Sequence, residues 1–185
     1  MERTALLLID IQNDYFPGGK MELIGMHNAA ENAQKLISDF RKKNLPVVYI
    51  QHLAIKPNAS FFIPETFGVE IHESIRPIEG ETVIVKNYPN SFRNTSLNEH
   101  LKKLQVNDLV ICGAMSHMCI DTTVRAAFDF GYVCTLISDA CATRDLKFDE
   151  THVKASEVQT AFMAAMNGTF ANVITTSQYF KSSEK

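Results

Sequence analysis

The sequence contains no apolar run of membrane-spanning length, where a helical span needs about 20 consecutive apolar residues. It carries no block of Lys and Arg, and its formal net charge is −3 with a pI near 6.1. The electrostatic footprint of a nucleic-acid binder is therefore missing. No CxxC pair occurs among its four cysteines, Cys112, Cys119, Cys134 and Cys141, which argues against a zinc knuckle or a thioredoxin-type site. An even cysteine count could suggest disulfides, but a chain this long without a secretion signal favours free thiols. The opening MERTALLLIDIQND has a short apolar run followed by acidic and amide residues, with no small-residue cleavage site. It reads as a strand and not a signal peptide, so the expected location is cytoplasmic. Internal repeats and low-complexity segments are lacking too. The partner these absences leave is a small molecule, with neither nucleic acid nor membrane.

What is present suits one domain. The 185 residues are 45% hydrophobic and 21% charged, enough for one sizeable core over residues 1–180, with a polar tail, KSSEK, at 181–185. Five apolar runs read as strands: ALLLIDI, PVVYIQH, TVIVK, DLVICGA and YVCTLIS, with a weaker sixth, ANVITT. They lack clean alternation, the mark of parallel strands covered on both faces. Between them lie helical patterns. NAAENAQKLISDFRKKN ends in a basic turn that suits the helix dipole. SLNEHLKKLQ opens with Ser96 and Glu99 at capping-box spacing. CIDTTVRAAFDFG ends on Gly131, a C′ candidate, and THVKASEVQTAFMAAMNG also ends on Gly. Alternating strands and helices predict a three-layer α/β/α, Rossmann-like domain on a parallel sheet. Leu53–Gly80 breaks the pattern with several prolines and no period; so long a loop is usually functional, here an active-site flap or a subunit contact.

Ligands of open α/β sheets bind beyond the C-terminal strand ends. Asp10 closes the first strand, His52 the second and Lys86 the third, while Cys119 follows the fourth. Asp10 is either a loop cap or a partly desolvated general base. Lys86 either runs to solvent or turns inward, where it needs a carboxylate such as Asp10. Cys119 is either a small buried residue or a nucleophile on a helix starting near it, whose N–H groups would lower the thiol pKa and hold an oxyanion. Cys112 and Cys134 fit buried packing, and Cys141 has no evident activating group.

Three stretches in order, LLLIDIQNDYF, VIVKNYPNSFRNTSL and GAMSHMCIDTTVRAAFDFGYVCTLISDACAT, resemble the isochorismatase-like cysteine hydrolases over nearly the whole chain. The resemblance implies a six-stranded parallel sheet of order 3-2-1-4-5-6. It implies a triad of Asp10, Lys86 and Cys119, and an oxyanion site at the backbone N–H groups of Met115 and Cys119. It implies a cis peptide between Ala114 and Met115, and a homodimer or higher homo-oligomer. The reaction implied is hydrolysis of an amide or lactam C–N bond through a thioester acyl-enzyme. Vinyl ether hydrolysis of the isochorismatase type, nicotinamidase activity, a non-catalytic binding relative and a thiol redox role are the alternatives. Metal-dependent nicotinamidases carry Asp-x-His after the second strand; here His52 stands at the aspartate position and Ala54 at the histidine. One imidazole is a poor zinc site, so neither a catalytic metal nor another cofactor is expected. Gln12, His52 and His117 are candidate substrate contacts, with loop or strand-end roles as alternatives. Phe16, Phe62, Tyr88 and Phe92 are candidate pocket walls, or else core.

Overall fold

The computed structural model describes residues 3–182. In chain order the elements are β1 (Thr4–Ile9), α1 (Met26–Lys42), β2 (Val47–His52), β3 (Thr82–Lys86), α2 (Leu97–Lys103), β4 (Asp108–Ala114), α3 (Asp121–Asp129), β5 (Val133–Ala142), β6 (Leu146–Phe148), β7 (Thr151–Val153), α4 (Ala155–Met166), β8 (Asn172–Ile174) and α5 (Thr176–Ser182). Six strands form one parallel sheet in the order β3-β2-β1-β4-β5-β8. This is the expected order, with the sixth sheet strand coming eighth in the chain. Helices cover both faces. Phe40 of α1 stacks near Tyr179 of α5 in one layer, and α3 packs on α4 in the other.

Burial explains why the runs do not alternate. Ala5 through Ile9 of β1 are all buried, because the central strand has a helical layer on each side. The edge strand β3 does alternate: Val83 and Val85 are exposed, while Ile84 and Lys86 are buried. Side chains two apart share a face, so Lys86 turns inward with Ile84.

Three local expectations are corrected. The Ser96–Glu99 capping box does not form; Thr95 Oγ1 instead accepts from the Leu97 N–H at 3.3 Å. The Thr-His-Val expected to open the last long helix is β7, which pairs antiparallel with β6. Its alternating β-branched residues suit a strand, and α4 begins only at Ala155, whose N–H is capped by Asp145 Oδ1 at 2.7 Å. At the C-terminus Lys181 and Ser182 belong to α5 and not to a tail; residues 183–185 lie outside the described residues. Gly131, at φ +87°, does take the left-handed position after α3.

One glycine sets the spacing of the two central strands. Gly113 pairs with Ile9, the residue before Asp10, and the β4–β5 register shifts between Ile111 and Gly113. Its φ is +129°, and a Cβ there would collide with the Ile9 carbonyl. The missing side chain lets β1 and β4 close up where the Asp10 and Cys119 segments leave the sheet. Gly113→Ala is expected to destabilise the fold by about 2–5 kcal/mol, combining backbone strain with overpacking. Urea unfolding of the two proteins measures it; a loss below about 1 kcal/mol would show that β1 and β4 tolerate separation.

Candidate active site

Asp10 leaves β1 with φ +52°, a left-handed turn that Asp tolerates better than most residues. Its N–H still bonds Ile50 O of β2 at 3.0 Å, and it is fully buried. Lys86 ends β3, two strands away in the sheet. It is 1% exposed and reaches across the end of β2, where His52 is its register partner. Its ammonium meets Asp10 Oδ2 at 2.7 Å, His52 Nδ1 at 2.9 Å and Cys119 Sγ at 3.2 Å. Burial opposes the lysine charge, yet Asp10 and Cys119 outweigh it and hold its pKa above the usual value.

Cys119 does not open a regular helix, as the sequence pattern suggests it would. Ser116–Ile120 form a wide π-type turn that runs into α3, and Met115 O accepts from both Met118 N and Ile120 N, at 2.9 and 3.2 Å. Ser116 anchors the turn through Oγ, 2.6 Å from Gln159 Oε1 and 3.2 Å from Ala142 O. The peptide between Ala114 and Met115 is cis. The thiol pKa also departs from expectation. Burial, and then the Asp10 charge, raise it well above that of free cysteine, and Lys86 only partly offsets them. A carboxylate, rather than a helix end, is thus the group beside the sulfur, and its charge disfavours the thiolate. Both Asp10 carboxylate oxygens are buried without a hydrogen bond of good geometry, and Oδ2 is paired with the Lys86 ammonium.

The other residues singled out from sequence divide into those near this cluster and those elsewhere. His52 is in it. Burial first, then Lys86, lower its pKa to about 4. Phe62, on the long loop, returns to the end of β2: Ala54 N donates to its carbonyl at 2.9 Å. Its ring lies 5.7 Å from His52 and 4.6 Å from Tyr15, so this part of the Leu53–Gly80 loop walls the site. Of the two roles open to Gln12, the structure shows the hydrogen-bonding one. It is fully buried, and its amide is spent on His52 N and O at 2.8 and 2.9 Å and on Val69 O at 2.6 Å. Phe16 is likewise placed elsewhere, stacked on His72 at 3.6 Å between centroids. Phe92 belongs to the core beside Phe130 and Tyr132. Tyr88 lies half-buried beneath the Arg93 guanidinium, 3.8 Å from its ring centroid. His117 is half-buried, with Nδ1 2.6 Å from Thr143 Oγ1.

Sequence reasoning missed two residues of the aspartate stretch. The Tyr15 phenol is buried, and its pKa is raised by burial and then by Cys119 and Asp10; only its place in the Asp-x-Gln-x-Asp-aromatic stretch could have signalled it. Asp14 accepts from Phe62 N at 2.6 Å and Lys20 N at 3.1 Å, tying the long loop to the end of β1. Asp10, His52 and Cys119 each place one potential metal ligand within 4.8 Å of the others. The Lys86 ammonium already bonds all three, so a metal ion and this lysine would compete for one place. Cys141, the candidate redox partner, is buried with its thiol pushed up to about 12 by burial. No helix among the described residues is long and apolar enough to cross a membrane.

A carboxylate and a thiol meeting through one ammonium, where β1 and β4 part at the switch point of the sheet, define a class: α/β hydrolases built around a cysteine. Comparison with known proteins gives the family. Residues 4–178 match the isochorismatase domain model. The chain is 57% identical over 178 residues to the uncharacterized isochorismatase family protein YddQ of Bacillus subtilis (strain 168), covering 96% of this chain and 99% of that one. The crystal structure of an isochorismatase hydrolase homologue from Oleispira antarctica superposes with a TM-score of 0.93 at 46% identity, covering 96% of each chain. Streptothricin hydrolase of Streptomyces noursei is 30% identical over 142 residues, 77% of this chain and 50% of its own. The chain belongs to the isochorismatase family and is a hydrolase of that family.

The electrostatics of the cluster make two measurements decisive. Asp10→Asn removes a charge that raises the thiol pKa and leaves Lys86 facing it. Alkylation of Cys119 by iodoacetamide at about pH 8 should therefore speed up, by about tenfold for each unit of thiol pKa. Unchanged or slower alkylation, followed by intact mass, would mean that Asp10 does not act on the thiol. For His52 the folded pKa of about 4 lies below the ordinary value of 6.5. The unfolded chain then binds more protons between these values, and stability falls as pH drops through that window. Between about pH 7 and about pH 5 His52 should account for about 2 kcal/mol of the loss. His52→Asn should lose less than wild type in urea unfolding at the two pH values; equal losses would contradict the assignment.

Proposed function

We propose that this hydrolase cleaves the C–N bond of a small-molecule amide or lactam through a thioester on Cys119. The observation that carries this is the Lys86 ammonium, bonded at once to Asp10 Oδ2 and Cys119 Sγ in a buried site. That arrangement suits a thiol that must lose its proton to a neighbour at the moment of attack. A streptothricin hydrolase and a nicotinamidase are among the relatives, which supports an amidase reading.

In this reading Asp10 takes the Cys119 proton as the sulfur attacks the carbonyl carbon. Lys86 keeps Asp10 oriented and stays close to the charge on sulfur. The carbonyl oxygen becomes an oxyanion held by the backbone N–H groups of Met115 and Cys119. The tetrahedral adduct collapses, the C–N bond breaks, and the proton on Asp10 passes to the leaving nitrogen. Asp10 then deprotonates a water that attacks the thioester. The second tetrahedral adduct collapses, the C–S bond breaks, the proton on Asp10 returns to sulfur, and the acid product leaves. Phe62 walls the acyl group, with Tyr88 and His117 as further contacts around the mouth.

An amide and lactam library, turned over by wild type beside Cys119→Ala, tests this. Wild type should hydrolyse at least one compound and show an acyl adduct on Cys119 by intact mass. The variant should lose activity by about 10³-fold or more, as expected for removal of a nucleophile. Equal turnover by the two proteins defeats the mechanism.

A further inference from the structure

We propose that His52 is a positioning residue: its Nδ1 accepts the third proton of the Lys86 ammonium and thereby holds the lysine against the Cys119 thiol. The inference rests on Cys119 being the nucleophile, but not on the identity of the substrate.

An ammonium has three N–H donors and no acceptor. Lys86 has three acceptors around it: Asp10 Oδ2 at 2.7 Å, His52 Nδ1 at 2.9 Å and Cys119 Sγ at 3.2 Å. The acceptors equal the protons in number; the Asp10 contact is an ion pair, and those to His52 and Cys119 are hydrogen bonds. His52 Nδ1 stands 3.9 Å from Asp10 Oδ2, too far for a bond of its own, with the ammonium bridging the two. Accepting from an ammonium requires a lone pair on Nδ1, so the imidazole is neutral and carries its hydrogen on Nε2. Burial and the lysine charge both favour that neutral form. Were His52 protonated, two cations would meet inside a buried site.

The fold fixes His52 for this role. It is the register partner of Lys86 at the strand ends, so the lysine passes it on the way to Asp10. Its backbone is clamped on both sides by the Gln12 amide, at 2.8 and 2.9 Å. Phe62 lies against its ring at 5.7 Å between centroids. Gln12 thus serves the site indirectly, by fixing the residue that fixes the lysine. Without the third acceptor the ammonium keeps its strongest partner, the carboxylate, and is free to rotate away from sulfur.

The test reads the thiol directly. Cys119 alkylation by iodoacetamide is followed against pH by intact mass and peptide mapping, in wild type and variants. The charged and titratable groups facing the thiol are Asp10 after β1, His52 at the end of β2, Lys86 at the end of β3 and the Tyr15 phenol. Arg144, after β5, acts on Tyr15 and on His117. Only His52 and Lys86 are altered. His52→Leu should slow alkylation at about pH 8 by about tenfold, equivalent to raising the thiol pKa by about one unit. His52→Asn, whose Oδ1 stands where Nδ1 was, should stay within about twofold of wild type. His52→Gln places its oxygen at the Nε2 position and should behave like His52→Leu, which keeps the test informative if the leucine variant does not fold. In Lys86→Met the added His52→Leu change should have no further effect, since a residue acting through Lys86 is non-additive with its loss. A wild-type profile for His52→Leu and His52→Gln would overturn the proposal. So would an asparagine variant as slow as these, or additive slowing in the double variant. If no amide is hydrolysed while this pattern holds, the amidase reading fails and the role of His52 stands. If amides are hydrolysed and the pattern is missing, the reverse is true.

Discussion

The arrangement of the site depends on one buried cation. Lys86 has almost no exposed surface, and its ammonium bonds Asp10, His52 and Cys119. A lone ammonium so deep would be costly, because desolvation removes more than a single contact returns. Three acceptors make the burial tolerable, and they come from the ends of three strands, with the lysine on a fourth. The sheet order β3-β2-β1-β4 brings those ends into line. The lysine spans from the edge toward the centre, the histidine lies beneath its path, and the aspartate and cysteine segments diverge on either side of the switch point. Such a pair contributes little to stability compared with apolar packing. Its value lies in holding charge at a fixed place.

The surroundings of that cation also decide how the thiol is kept. Activation by a helix N-terminus would give a resting thiolate open to oxidation and metals. Here burial and a neighbouring carboxylate raise the thiol pKa instead. The wide turn at Ser116–Ile120 matters because it sets sulfur beside the lysine and the carboxylate, more than because it ends a dipole. The long loop closes the same site from the other side. Asp14 ties it down through Phe62 N, which sets the Phe62 ring against Tyr15 and His52.

Legibility differed between residues for definite reasons. Asp10, Lys86 and Cys119 could be read because each follows an apolar run, and polar groups placed there must find one another. The inward turn of Lys86 was open in sequence, since TVIVK fits a lysine facing either way. Edge alternation decided it, with Val83 and Val85 taking the solvent side. Gln12 was open in sequence between a substrate contact and a loop hydrogen bond; its hydrogen bonds, all to backbone atoms of His52 and Val69, are set by residues 40 and 57 positions away. Phe16 and Phe92 were ambiguous for the same reason. An aromatic packs wherever the fold brings partners, and theirs are His72 and the Phe130–Tyr132 pair.

By itself the sequence determined the alternation of strands and helices, the inner strands and the candidate reactive groups. Those arise from local periodicity and from the cost of leaving polar atoms among apolar ones. Tertiary structure alone decided that His52 faces Lys86, that Tyr15 is buried within electrostatic reach of Cys119 and that Gln12 serves the backbone. It also decided that burial and Asp10 raise the pKa of the Cys119 thiol. Each of these is a matter of distance between residues far apart in the chain, and burial and electrostatic coupling exist only once the sheet has brought them together.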